Sequence, residues 1–128
     1  MGALRVCEFG RVSARRSQTL WHALAEGVSA GAPPTLAFMR PARPYVGLGF
    51  HRLAEEADLA WCAEMGMPVY RRHTGGGVVY LDEGQLFFQI IVPAASLPAS
   101  REAALRLLLG PAVEAWQAVG VEARLDET

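Results

Sequence analysis

The spacing of apolar positions along the chain changes between a two-residue period and a helical period. The two-residue period and short apolar runs predict strands, which lie at residues 4–9, 35–39, 45–48, 68–72, 78–81, 85–92 and 121–125. The helical period predicts helices, which lie at residues 14–29, 53–65 and about 100–119. The strands therefore come in adjacent runs, which indicates an α/β protein of the α+β type. We expect a mixed, mostly antiparallel sheet with helices packed on it.

Glycine, proline and serine residues mark the predicted boundaries. Gly10 is expected to end the first strand, and Gly66 to cap the second helix. Ser100 is a suitable N-cap for the third helix, and Gly120 is placed to end it. Gly110-Pro111 interrupts that helix, so a kink or a split is expected there.

Composition narrows the class of protein. The chain has 128 residues, of which 52% are hydrophobic, and a formal net charge of −1. This fits one domain over residues 1–128 with its own core, and argues against a dedicated nucleic-acid binder. Neither a membrane span nor a signal peptide is visible, which predicts a cytoplasmic protein. The two cysteines and three histidines are scattered, so neither a disulfide nor a metal site is expected.

All twelve basic residues are arginine, and lysine is absent. This chain therefore cannot itself supply a catalytic ammonium group. The last predicted strand, residues 121–125, would form an unpaired sheet edge. We expect a sheet completed by further sequence or by a second chain, and low stability of the chain alone.

The segment from Pro68 to Gln85 carries the most chemical information. Gly75-Gly76-Gly77 lies between two predicted strands, where glycine permits positive φ and close approach of a ligand to the main chain. Arg71 and Arg72 precede it and can form forked hydrogen bonds to a carboxylate or phosphate. The pattern predicts an anion-binding loop, and a plain hairpin loop with solvated charges remains the alternative.

Common nucleotide-binding motifs do not explain this loop. The pair Gly47-x-Gly49 lacks the third glycine of the dinucleotide fingerprint, because Arg52 occupies that position. The phosphate-loop motif with its lysine is absent as well.

The run Arg-Arg-x-Thr-Gly-Gly-Gly-x-Val-x-x-Asp-x-Gly, from Arg71 to Gly84, resembles the signature of the lipoate–protein ligase and octanoyltransferase family, relatives of the biotin protein ligases. Three further segments resemble the first helix, an early strand and the glycine turn of that family: Ser17–Leu24, Pro34–Leu36 and Pro44–Gly49. The resemblance covers nearly the whole chain.

The resemblance implies a biotin/lipoate ligase-like fold, which the chain represents as an N-terminal part. It implies binding of lipoate or octanoate in an apolar slot under the glycine loop. Ligases of the family use ATP and Mg²⁺ to form an acyl-adenylate. They then pass the acyl group to a lysine on a lipoyl carrier domain of the 2-oxoacid dehydrogenase or glycine cleavage H protein type.

The resemblance also assigns residues. It implies that Arg72 is the catalytic residue and faces the carbonyl or phosphate oxygens. The residues that it implies for substrate and adenylate binding are Gly49, Arg71, His73, Thr74, Gly75, Gly76, Gly77, Asp82 and Gln85.

The sequence departs from the family pattern at three places. Leu81 stands where histidine is common, and Phe50-His51 follows the glycine turn where arginine or asparagine is usual. The family's lysine, from a later segment, is absent, so activity is expected to need a lysine-bearing segment. Two alternatives remain open: an octanoyl transferase that does not use ATP, and a non-catalytic relative that binds the ligand or the carrier. Biotin ligation is less favoured.

Four other residues are open to two interpretations. His22 is either a plain helix residue or a base, and His51 either lies near a nucleotide or does not. Arg40 and Arg43 lie between prolines, where they are either solvated or in contact with an acidic carrier domain.

Overall fold

The computed structural model describes residues 3–126. Its strands are β1 (Arg5–Val12), β2 (Thr35–Pro41), β3 (Tyr45–Leu48), β4 (Val69–Arg71), β5 (Val78–Leu81) and β6 (Phe87–Ile91). Its α-helices are α1 (Ala14–Ser29), α2 (Leu59–Glu64) and α3 (Arg101–Ala118). Short 3₁₀ turns lie at Ala54–Glu56 and Ala94–Ser96.

The chain divides into two compact units, Met1–Ile91 and Val92–Thr128. The first unit contains all six strands with α1 and α2, and the second contains α3. The interpretation of residues 1–128 as one domain stays a prediction.

The strands of the first unit form two three-stranded sheets. The first sheet has the order β1-β2-β6 and the second the order β4-β3-β5. In each sheet the central strand has one parallel and one antiparallel neighbour. The mixed α/β class is thus confirmed, with a larger parallel share than expected. The reason is that α1 and α2 act as crossovers, which return the chain to pair in parallel.

Both ends of helix α1 agree with the prediction of a helix over residues 14–29. Ser13 caps it, because its hydroxyl accepts a hydrogen bond from the Arg16 N–H at 3.3 Å. The helix packs against β2 and β6. The odd-numbered positions of β2, including Ala37 and Met39, are buried, so the first sheet contributes its core through this strand.

Two predicted boundaries were wrong. Gly10 does not end the first strand: it has a φ of +63° within β1, where the register with β2 shifts between Glu8 and Arg11. This is a β-bulge, to which glycine is suited. The predicted helix 53–65 is a 3₁₀ turn followed by the short helix α2, which Asp58 caps.

A helix over 53–65 would place Leu53, Ala57, Ala60, Trp61 and Met65 on one apolar side, and this expectation was wrong in part. Ala57 is buried, but Leu53, Trp61 and Met65 are exposed, and the buried residue of α2 is Cys62. Ala57 and Cys62 pack with Val46 and Leu48 of β3, so this short helix covers the second sheet.

The C-terminal segment differs from the prediction in two ways. The helix α3 continues through Pro111 without a split. Residues 121–126 form no strand, so the expected edge strand at 121–125 was wrong, and the low stability inferred from it loses its basis. Ser100 caps α3 as predicted, and Gly120, with a φ of +84°, follows its end.

Candidate functional site

The predicted anion loop lies at the end of β3. We define the glycine loop as residues 73–77, between β4 and β5. Three main-chain hydrogen bonds tie it and its flank to the residues at the end of β3: Arg72 N to Leu48 O at 2.8 Å, Phe50 N to Thr74 O at 2.9 Å and Gly49 N to Gly77 O at 3.1 Å. The loop is therefore held against the turn that follows β3.

The guanidinium group of Arg72 lies inside this loop. Its Nη2 donates to the carbonyl oxygens of Gly75 and Gly77, both at 3.0 Å, and its Nη1 donates to Gly47 O at 3.1 Å. A single cation thus ties both ends of the triple glycine to β3. The implied contact of Arg72 with a substrate oxygen stays a prediction.

The neighbouring arginine stabilises the turn after β3. Nη1 of Arg71 donates to the carbonyl oxygens of Gly49, Phe50 and Arg52. Nε of Arg52 in turn donates to Gly76 O at 3.2 Å. In this structure Arg71 and Arg72 both donate hydrogen bonds to main-chain carbonyl oxygens. The sequence pattern predicted hydrogen bonds to an anion and did not predict these contacts.

Two glycines permit the close packing of the loop. A Cβ atom on Gly49 would collide with the carbonyl oxygen of Gly76 and lie 2.8 Å from its carbonyl carbon. Gly76 has a φ of +101°, and a Cβ there would lie 2.9 Å from Nη2 of Arg72. The expectation of positive φ in the triple glycine is confirmed for Gly76.

The glycine loop also contains main-chain N–H groups that are free to donate hydrogen bonds. The main-chain N–H groups of Gly75, Gly76 and Gly77 donate no hydrogen bond to any residue from 3 to 126. Exposed amide N–H groups in a glycine-rich loop can donate hydrogen bonds to the oxygens of an anion. The geometry is therefore compatible with carboxylate or phosphate binding at this loop.

A cavity of about 290 Å³ lies next to Arg72 and the glycine loop. It is lined by Ser17, Gln18, Trp21, Arg72, Thr74, Val79, Leu81, Phe87 and Gln89. Side chains from α1, β5 and β6 thus surround it together with the loop. The lining combines apolar groups with a cation and hydrogen-bonding groups, which suits an amphiphilic ligand.

A buried tyrosine links the cavity wall to the second sheet. The Tyr45 hydroxyl lies 2.7 Å from Ser17 Oγ and accepts a hydrogen bond from Gln18 Nε2 at 2.7 Å. Tyr45 is fully buried, so these hydrogen bonds are shielded from water. They hold the start of α1 against β3.

We expect Tyr45→Phe to lower the free energy of unfolding by about 1–2 kcal/mol, because it leaves Ser17 and Gln18 without their shared partner. Urea denaturation followed by circular dichroism measures this value. Tyr80→Phe is the matched control, since Tyr80 is half exposed on β5, and a change within about 0.5 kcal/mol is expected there. Equal effects of the two substitutions would contradict this interpretation.

Histidine rings lie at the edge of the glycine loop. His73 contacts His22 edge-on, with ring centroids 5.3 Å apart, and His22 stacks on Trp21 at 3.5 Å. Nε2 of His22 is buried without a hydrogen-bond partner. His51 contacts Phe50. The structure therefore brings His22 to the loop, although its sequence position alone did not favour a role in the site.

Asp82 and Gln85 lie in the turn between β5 and β6. Asp82 Oδ1 accepts the Gly84 N–H at 2.9 Å, and Gln85 Nε2 donates to Tyr80 O at 3.4 Å. Neither residue is among those that line the cavity. The structure thus gives both a local role in this turn, and their implied contact with substrate stays a prediction.

Four residues near the cavity were missed by sequence reasoning: Ser17, Gln18, Tyr45 and Gln89. Ser17 and Gln18 occur within the segment that resembles the family's first helix, but they carry no motif of their own. Gln89 interrupts the apolar run of β6, and an isolated polar residue in such a run is the one signal that was available.

The described part of the chain has neither a metal-ligand cluster nor a helix that could cross a membrane. Residues 3–126 contain no group of three histidine, cysteine, aspartate or glutamate side chains that could hold a metal ion. None of their helices is both long and apolar enough to span a membrane.

The fold and the site define an α/β protein in which a glycine loop, held by Arg72, lies beside a cavity of mixed polarity. The chain belongs to the Lipoyl protein ligase A/B catalytic domain family, which matches residues 13–128.

Two curated relatives illustrate the range of this family. The chain is 32% identical over 98 residues to lipoate-protein ligase A subunit 1 of Thermoplasma acidophilum, a match that covers 76% of this chain and 36% of the relative. It is 38% identical over 69 residues to octanoyltransferase LipM of Carboxydothermus hydrogenoformans, covering 53% of this chain and 25% of that protein. The chain thus spans well under half the length of either relative.

Solved structures share the fold. A bipartite lipoate protein ligase of T. acidophilum, described with its E2 lipoyl domain, matches with a TM-score of 0.83 and 29% identity over 96% of this chain and 48% of its own. A T. acidophilum protein with bound lipoic acid has a TM-score of 0.85 at 28% identity, with coverages of 99% and 52%. A lipoate-protein ligase A with bound ATP has a TM-score of 0.83 at 29% identity, with coverages of 99% and 50%.

Proposed function

We propose that this chain binds the acyl chain and carboxyl group of lipoate or octanoate in the cavity beside the glycine loop, for transfer to a lysine of a lipoyl carrier domain. The observation that carries the proposal is the lining of the cavity. Trp21, Val79, Leu81 and Phe87 offer apolar contacts, whereas Thr74 of the loop and the preceding Arg72 are hydrogen-bonding groups. A medium-chain carboxylic acid has the same two chemical parts.

The loop is suited to the charged part of such a ligand. Arg72 donates hydrogen bonds to the carbonyl oxygens of Gly75 and Gly77. The N–H groups of Gly75, Gly76 and Gly77 remain available to an anion. Donors that are fixed before the ligand arrives stabilise developing negative charge without reorganisation. We infer that the carboxyl oxygens lie at these amides, with Arg72 contributing its charge at short range.

The residues of the loop also fit the phosphate groups of ATP. Free glycine amides near Arg71 and Arg72 match the donors that such groups require, and a related structure has ATP bound. ATP would supply the activation of the carboxyl group. The fit to Mg²⁺ is poor within residues 3–126, where Asp82 uses Oδ1 in a turn and no carboxylate cluster is present.

The family resemblance implies a lysine in the complete site, and this chain has no lysine. The similar T. acidophilum ligase of known structure is bipartite, and another T. acidophilum relative is a lipoate-protein ligase A subunit 1. We propose that a second chain or segment supplies the lysine, and that the acceptor is a lipoyl carrier domain.

Octanoyl transfer without ATP is the second candidate function. The similarity to an octanoyltransferase at 38% identity favours it. Both candidates use the same acyl cavity, so they differ in the source of the activated acyl group and not in its binding.

We expect Val79→Phe to weaken the binding of octanoate at least about tenfold, because the larger ring fills the cavity. Val78→Phe, on the neighbouring position of β5, is the matched control, since Val78 does not line the cavity. Calorimetric titration with octanoate and with lipoate measures both effects. No binding by the unchanged chain, or equal losses in the two variants, would refute acid binding in this cavity.

Mass spectrometry of a lipoyl domain then separates the candidate activities. The chain is incubated with the domain, a lysine-bearing second subunit and either free acid with ATP or an octanoyl-carrier protein. Modification that requires ATP supports the ligase, and modification from the octanoyl carrier alone supports the transferase. Acid binding without either product supports the non-catalytic relative.

A further inference from the structure

Gln89 is a polar side chain in the wall of the cavity beside the glycine loop. It interrupts the apolar strand β6, whose other residues are Phe87, Phe88, Ile90 and Ile91. Alternate residues of a strand point to opposite faces of the sheet. Gln89 and Phe87 therefore share one face of the first sheet, and both line the cavity. A ligand that fills the cavity would lie against the amide of Gln89.

The amide of Gln89 has no hydrogen-bond partner among residues 3–126. Its Oε1 atom is buried without a hydrogen bond. Its Nε2 atom makes no hydrogen bond to these residues either, but it is not fully buried, so its N–H groups remain open to the cavity. Buried polar groups in proteins are nearly always hydrogen-bonded. The fold of this chain therefore does not account for a glutamine at position 89.

The neighbouring positions of the first sheet offer this amide no partner. Ala37 lies directly opposite Gln89 on β2, and its side chain is apolar. The polar diagonal neighbour on that strand is Thr35. Its hydroxyl is already occupied, because it accepts a hydrogen bond from Arg5 Nε at 2.9 Å and donates one to Pro33 O at 3.0 Å. The side chain of Gln89 thus adds no hydrogen bond to the sheet.

Other polar groups of the cavity wall are held by the protein. Ser17 and Gln18 each contact the Tyr45 hydroxyl at 2.7 Å, and Arg72 donates to three carbonyl oxygens. Arg72 follows β4 of the second sheet, whereas Gln89 lies on β6 of the first. Because the carboxyl group of the ligand is proposed to lie at the loop amides beside Arg72, the amide of Gln89 is left to face the acyl chain.

Lipoate and octanoate differ in the chain that would meet this amide. Octanoate has hydrogen-bonding atoms in its carboxyl group alone. Lipoate also carries a dithiolane ring, whose two sulfur atoms are weak hydrogen-bond acceptors. Octanoate in the cavity would remove water from the N–H groups of Gln89 without replacing it, which is unfavourable. A sulfur atom of lipoate offers those N–H groups a partner.

We propose that Gln89 determines the specificity of the cavity: its amide donates a hydrogen bond to a sulfur atom of lipoate and disfavours octanoate. This inference rests on the proposed function, and it selects between the two acids named there. A wholly apolar pocket distinguishes similar chains only weakly, whereas a polar group that needs a partner discriminates more strongly. Gln89 acts on the acyl chain and takes no part in acyl transfer.

The test is the replacement of Gln89 by methionine, which has a similar length and lacks the amide. We expect Gln89→Met to raise the affinity for octanoate at least about fivefold, because no N–H group is then left without a partner. The affinity for lipoate should change by less than about twofold, because the hydrogen bond lost to sulfur is weak. Calorimetric titration with the two acids measures both changes. Gln89→Leu should give the same result, which excludes a contribution from the methionine sulfur.

Ile90→Met is the matched control for this substitution. Ile90 is the next residue of β6, so its side chain points to the opposite face of the sheet, and it does not line the cavity. This variant should leave the affinity for each acid within about twofold of the unchanged chain. A disturbance of the strand alone would weaken both acids, and it would not strengthen the binding of one.

Three results would overturn this inference. Gln89→Met would weaken both acids equally if the amide bound the carboxyl group, would strengthen both equally if the amide did not discriminate, and would change neither if the amide did not meet the ligand. Each of these results leaves the proposed function standing, because the unchanged chain still binds the acids. An unchanged chain that binds neither acid would refute the proposed function and this inference with it.

Discussion

Gly49→Ala is expected to displace the glycine loop and to abolish most of the affinity for octanoate. The added Cβ would collide with the carbonyl oxygen of Gly76 and lie 3.3 Å from the carbonyl carbon of Gly75. These are main-chain atoms, so no side chain can rotate away. Either β3 or the loop must move, and the hydrogen bond from Gly49 N to Gly77 O is then strained or broken.

We expect this substitution to lower the free energy of unfolding by about 3 kcal/mol, as overpacking at a closely packed position does. Octanoate affinity should fall at least about tenfold, because the amides of the loop no longer converge. Urea denaturation and calorimetric titration measure the two effects on the same protein.

Gly75→Ala is the matched control for this prediction. A Cβ on Gly75 meets no atom within 4 Å, and its φ is not positive. Gly75→Ala should therefore change the free energy of unfolding by less than about 0.5 kcal/mol. A Gly49→Ala protein that is as stable as the Gly75→Ala protein would show that the contact between the turn and the loop is not required.

Much of the fold could be predicted where local chemistry decides the structure. The bounds of α1 follow from the Ser13 cap and from the glycine and prolines after it, and those of β3 and β5 follow from short apolar runs. The helix predicted at 53–65 was wrong because several phases of apolar residues are possible in a short segment. Ala57 and Cys62 are the residues of this segment that are buried, because they pack against β3. The sequence alone does not show which residues make that contact.

The candidate site divides in the same way. The glycine loop could be predicted because its residues are consecutive, and their composition has a direct conformational meaning. The cavity could not, because its walls come from α1, β5 and β6, and only the pairing of distant strands brings these together. The turn after β3 lies against the loop for the same reason, and the sequence contained no sign that Gly49 must leave space for Gly76.

Substitution of Arg72 is expected to have the largest effect on ligand binding. Its guanidinium donates three hydrogen bonds to carbonyl oxygens of Gly47, Gly75 and Gly77. Arg72→Lys keeps the charge, but a single ammonium group lacks the planar fork that spans separate carbonyls. We expect it to lower the free energy of unfolding by about 2 kcal/mol, a value discounted for the partial exposure of the site.

Two ligands distinguish the possible roles of Arg72 in binding. If Arg72 only holds the loop, Arg72→Lys and Arg72→Gln should weaken octanoate and the uncharged octanamide by the same factor. If it also contacts the carboxylate, Arg72→Gln should weaken octanoate at least about tenfold more than octanamide, because an ionic hydrogen bond is lost only with the acid. Arg52→Gln is the matched control, since it removes one exposed hydrogen bond to Gly76 O and an exposed ion pair with Glu56 and should affect both ligands slightly. The implied catalytic role of Arg72 requires the selective loss, and a ratio near one would restrict this residue to organising the loop.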